Sequence, residues 1–113
     1  FSHIMLGTND VDRAKAFYDA VLAVVGAPAG VRNVARSGHV RVFYRHAGST
    51  FSLTQPLNGE PASCANGGTL GFSCSSPEQV KAELDAGTAT IVDHFTLDGA
   101  STPDFAASFG RFE

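Results

Sequence analysis

The chain has 113 residues, enough for one domain with a modest core and too few for two. Its 43% hydrophobic and 17% charged content fits a folded, soluble chain and excludes a disordered one. A formal net charge of −3 gives no electrostatic reason to expect nucleic acid, and no apolar run approaches the roughly 18 residues of a membrane span.

Ser2 to Thr8 reads as a strand, with Ile4 and Leu6 on one face and His3, Met5 and Gly7 on the other. Asn9 or Asp10 can cap a helix in which Val11, Ala14, Phe17, Tyr18, Val21, Leu22 and Val25 form one apolar stripe. Gly26 and Pro28 end it. Gly30–Arg36, Val40–His46 and Ser49–Thr54 follow as strands, separated by turn signals at Ser37-Gly38 and Ala47-Gly48. Alternation puts Val40, Val42 and Tyr44 on one face of the middle strand, with Arg41, Phe43 and Arg45 on the other. Tyr44 can project to either side of the sheet, because register alone does not decide it. Arg32, Arg36, Arg41 and Arg45 read together as a solvated strand edge.

Residues 55–67 are rich in turn formers and read as a linker. Thr69–Cys74 resumes the strand pattern, with Leu70, Phe72 and Cys74 opposite Thr69, Gly71 and Ser73. Ser75 or Ser76 caps a second helix expected to end near Gly87, followed by strands at Ala89–Phe95 and Asp104–Phe112. His39 and His46 sit at turn edges, and His94 lies beside Asp93 with no acid–base partner placed by spacing. Cys64 and Cys74 read as reduced thiols of a cytoplasmic protein, and the first residues show no signal peptide. No Ser-His-Asp order, phosphate loop or zinc spacing is visible.

One offset recurs. Counting 66 residues on, Lys15, Ala16, Asp19 and Ala20 return as Lys81, Ala82, Asp85 and Ala86, and Phe43 and Arg45 as Phe109 and Arg111. Asn9 falls on the cap candidate Ser75, and Asp12 falls on Glu78. The repeat predicts an α+β fold of two βαβββ halves, about 1–54 and 68–113, within one domain spanning 1–113. The counterpart of Ser52 would be position 118, beyond Glu113, so the second half is expected to lack its last strand.

The hydrophobic-His-hydrophobic opening, NDVDRAKAFYDAVL and NGGTLGFSCSSPEQV together resemble the vicinal oxygen chelate superfamily. That group includes glyoxalase I, extradiol dioxygenases, and fosfomycin- and bleomycin-resistance proteins. The resemblance implies curled, mixed sheets forming a cup, and a divalent metal held by ligands from the first and fourth strands. His3 matches the first-strand ligand, Ser52 stands where glyoxalase-type enzymes have a carboxylate, and Thr69 stands where they have histidine. Hydroxyls substitute poorly for those donors, so His3 is expected to line a cup without a conventional metal centre.

Strand alternation gives that cup the lining His3, Met5, Thr50, Ser52, Thr54, Thr69, Gly71 and Ser73, neutral and rich in hydroxyls. The expected function is binding of a small organic molecule by a homodimer, with no cofactor, nucleic acid or membrane partner. The alternative is a metal-dependent lyase or dioxygenase that uses His3 with ligands from another chain or the missing strand.

Overall fold

The apolar stripe of the first helix becomes α1 (Val11–Val24), which buries Val11, Ala14, Phe17, Tyr18, Val21 and Leu22. The structure, a computed structural model, describes residues 1–63, 70–90, 95–97 and 106–111. The expectations for Cys64, Thr69 and His94 lie outside these residues. Asp10 is the cap of α1, its carboxylate accepting from the Arg13 N–H at 3.0 Å. At the other end, Gly26 adopts φ +88°, while its N–H donates to the Ala23 carbonyl and that of Ala27 to Leu22. That pairing closes the helix in a left-handed turn that a glycine adopts without penalty.

Four strands follow from the alternation: β1 (His3–Gly7), β2 (Val31–Val34), β3 (Val40–His46) and β4 (Ser49–Thr54). They form a mixed sheet in the order β1-β4-β3-β2, with β1 parallel to β4 and the other pairs antiparallel. The β3–β4 turn has positive φ at both Ala47 and Gly48, the twist that suits a two-residue hairpin. β2 is shorter than the Gly30–Arg36 expected.

Val42, Tyr44, Phe51 and Leu53 face α1 and close the core with Phe17, Tyr18, Val21 and Leu22. Each fully buried side chain of this size contributes about 1.5–3 kcal/mol. Tyr44 therefore lies on the helix side, which resolves the ambiguity of its register. Its hydroxyl donates to Asp19 Oδ1 at 2.7 Å, and Asp19 also accepts from Lys15 Nζ at 2.6 Å and the Gly30 N–H at 2.9 Å.

The rest of the chain forms β5 (Leu70–Ser73), α2 (Pro77–Thr90), β6 (Phe95–Leu97) and β7 (Ala106–Arg111), with the strands in the order β5-β7-β6. Ser76 is the cap of α2, accepting from the Gln79 N–H at 3.1 Å. Of the alternatives Asn9 or Asp10 and Ser75 or Ser76, the caps are thus Asp10 and Ser76, which also stand at the 66-residue offset. α2 continues past Gly87 to Thr90, so the strand expected from Ala89 does not start there, and β6 begins at Phe95. A lone glycine costs a helix only about 1 kcal/mol, which is too little to stop one with no proline behind it.

β5 pairs directly and antiparallel with β7, from Leu70↔Phe109 to Ser73↔Ala106. The place that β4 occupies between β1 and β3 has no equivalent among the described residues of this second sheet. Phe72 packs against Tyr18 and Phe51 with ring centroids 6.3 and 5.6 Å apart, and Gln79 Nε2 donates to the Val24 carbonyl at 3.1 Å. Both helices and both sheets thereby share one core. The expected curling into a cup is not seen: the four-stranded sheet is mixed and uncurled. Closing a sheet requires strand pairing around it, and β1 and β5 belong to separate sheets.

Candidate functional site

The face of the four-stranded sheet away from α1 carries three rows of side chains set by the register. His3 lies opposite Thr50, and Thr50 opposite Arg45. Met5, Ser52, Phe43 and Val31 form the second row, and Gly7, Thr54, Arg41 and Asn33 the third. The structure therefore brings together His3, Met5, Thr50, Ser52 and Thr54, five of the residues expected to line a cup. Gly71 and Ser73 are exposed on β5, in the other sheet, and Thr69 lies outside the described residues.

The members of this face differ in access. His3 is exposed, with its Nδ1 2.8 Å from the Ser2 hydroxyl, and Met5 retains 41% of its surface. Ser52 in the middle row is 0% exposed, and its Oγ has no hydrogen-bond partner among the described residues. A buried hydroxyl without a partner is costly, on the order of 1–3 kcal/mol, and is uncommon in folded proteins. Thr54 is also buried, its hydroxyl spent on the Gln55 carbonyl at 2.8 Å.

The segment after β4 covers that end of the face. A Cβ on Gly7 would stand 3.3 Å from Ala62 Cβ and 3.7 Å from Pro56 Cγ. Asn9, free of the capping role, holds the segment down: it accepts from the Ala62 N–H at 2.6 Å and donates to the Ala62 carbonyl at 3.2 Å. A shallow groove of about 490 Å³ lies at this end of β1, beside Thr8, His39, Gln55 and Glu60. Among the described residues β1 is an edge strand of the sheet, and its His3 end is exposed.

The neutral lining expected from alternation is corrected by β3. Its residues opposite the buried Val42 and Tyr44 are Arg41, Phe43 and Arg45, so two guanidinium groups share the face with His3. Both sit over the Phe43 ring, with Arg41 Cζ 5.3 Å and Arg45 Cζ 5.6 Å from its centroid. The arginine group expected at one solvated edge is split between faces, because Arg32 lies opposite Val42 and pairs instead with Asp12 of α1. The alternation of β3 in the sequence carries the signal for both arginines.

These donors do not fit a conventional divalent-metal centre. Beside the one imidazole stand hydroxyls and guanidinium groups, neither of which serves where carboxylate or further imidazole is needed. Among the described residues, no three of His, Cys, Asp and Glu are placed to hold an ion. No helix among them is long and apolar enough to cross a membrane.

Elsewhere, Glu83 of α2 is fully buried, with the Cys74 thiol donating to its Oε2 at 2.8 Å and Oε1 unpartnered among the described residues. Burial pushes this carboxyl up to about 7, and the thiol hydrogen bond only partly offsets it.

A strand, a capped helix and three antiparallel strands, with the first strand parallel to the last, define an α+β protein whose first sheet has one face on the helix and one face away from it. A scan against protein-family models and a search of curated proteins returned no match. Among solved structures, the chain is similar to a glyoxalase/bleomycin resistance protein from Albidiferax ferrireducens T118. Identity is 46%, the match covers 86% of this chain and 74% of the other, and the TM-score is 0.74. The chain belongs to the glyoxalase/bleomycin resistance family.

Proposed function

We propose that this protein binds a small organic molecule on the open face of its first sheet, around His3, without a conventional metal centre. The row His3–Thr50–Arg45 carries the reading. An imidazole, a hydroxyl and a guanidinium in line offer hydrogen bonds to a ligand, and the guanidinium disfavours a cation beside His3. Two related halves of about 1–54 and 68–113, joined by residues 55–67, account for helices whose bounds repeat at the 66-residue offset, Val11–Val24 and Pro77–Thr90. We place the protein in the cytoplasm as a homodimer. The free edge of β1, with Ile4 and Met5 exposed, suits a second copy, since natural sheets seldom leave such an edge uncovered.

The test is metal analysis of protein purified without chelator, alongside His3→Ala. The expected result is substoichiometric metal in both. Stoichiometric metal that disappears in His3→Ala overturns the reading in favour of a metal-dependent lyase or dioxygenase with further ligands from another chain. A monomer at micromolar concentration in light scattering overturns the homodimer.

A further inference from the structure

We infer that the ligand of this face is a small organic anion, with Arg45 as the group that binds its charge; the inference rests on the open face being a small-molecule site. The chain as a whole is acidic, with a net charge of −3, yet this face carries two guanidinium groups. Three other cations of the described residues are neutralised locally: Lys15 by Asp19, Arg32 by Asp12 and Lys81 by Asp85. Arg41 and Arg45 have no carboxylate partner among the described residues.

The two arginines are not equivalent. Arg41 is tied to Asn33 Oδ1 by its Nε at 3.1 Å and a terminal nitrogen at 2.6 Å, which fixes its guanidinium beside Phe43. Arg45 is exposed, and its described contact is the Phe43 ring beneath it. An aromatic ring orients a guanidinium without using its N–H donors, leaving the fork available for a carboxylate. His3 stands two strand spacings from Arg45 along the first row, about 10 Å across, with Thr50 between them. Met5 and Phe43 flank that row with apolar surface, and no carboxylate of the described residues stands on the face to repel an anion. The occupant that this arrangement complements has one anionic end for Arg45 and a flat apolar body of one or two rings.

Benzoate and 1-naphthoate, each beside its neutral carboxamide, test this by titration of the isotope-labelled full chain in NMR. The expected result is that a carboxylate shifts the amides of β1, β3 and β4 and binds at least about tenfold more tightly than its carboxamide, the size of one charge-assisted contact. Arg45→Met is expected to abolish that preference with the thermal midpoint unchanged, and Arg45→Lys to restore it only in part. Carboxylate and carboxamide binding equally well at these amides overturns the anion inference and leaves the small-molecule reading standing. If neither class shifts them at millimolar concentration, both readings are overturned. If Arg45→Met converts a dimer to a monomer, the face belongs to a second copy of the chain and the inference is overturned.

Discussion

The Cys74 thiol and the Glu83 carboxylate meet at 2.8 Å in the interior, between α2 and the residue that follows β5. Glu83 is fully buried, and the thiol is its described partner. Burial raises its carboxyl to about 7 from an ordinary 4.5, so between those values the folded state holds a proton that the unfolded chain releases. Stability is therefore complete below about pH 4.5 and falls as pH rises through 7. The shift corresponds to a loss of about 3 kcal/mol. Urea unfolding of the parent chain at pH 5.5 and pH 8 captures about 2 kcal/mol of it, and Glu83→Gln is expected to flatten the dependence and to be the more stable protein at pH 8. An unchanged pH slope in Glu83→Gln would sink this account.

Asp19 works in the opposite direction. Burial raises its carboxyl, but hydrogen bonds from Lys15, the Gly30 N–H and Tyr44, with the Lys15 charge, outweigh it and the net shift is downward. Its contribution is present above the ordinary value of 3.8 and is lost as pH falls through the lower folded value, well clear of the Glu83 window. Asp19→Asn is expected to cost about 1–2 kcal/mol at neutral pH, and Tyr44→Phe about 1 kcal/mol. Because the two share one hydrogen bond, the double variant is expected to cost less than their sum. Strict additivity in chemical denaturation would count against the shared bond.

Gly30 is required by space. A Cβ there would stand 2.4 Å from Val42 Cγ1 and 2.6 Å from Tyr44 Cζ, both buried. Gly30→Ala is expected to cost about 1–3 kcal/mol by overpacking. Val42→Ala costs stability alone by opening a cavity, and it is expected to cost measurably less in the Gly30→Ala background. Equal costs in the two backgrounds, read from thermal or urea midpoints, would place the strain elsewhere.

Local periodicity was enough for α1 and for the faces of β1, β3 and β4. Six of the seven stripe residues from Val11 to Val25 are buried, and Val25 packs partly buried against the same core. Spacing settles such features because helix and strand geometry repeat within a few residues. It was also enough for the family, through the first helix and the strand carrying His3.

The rest depended on which segments become neighbours. Asn9 and Asp10 are equivalent cap candidates until Ala62 arrives beside Asn9. Glu83 follows helix spacing like any surface acid until the fold buries it beside Cys74. Arg32 and Arg41 belong to one basic group in the sequence, yet the pairing of β2 with β3 sends one to Asp12 and leaves the other over Phe43. Where each side chain stands on its own element follows from local spacing, because backbone geometry repeats within a few residues. Which charges are neutralised, buried or left exposed follows from the packing of distant segments, because Coulomb and solvation energies depend on distances that the chain sets far along its length.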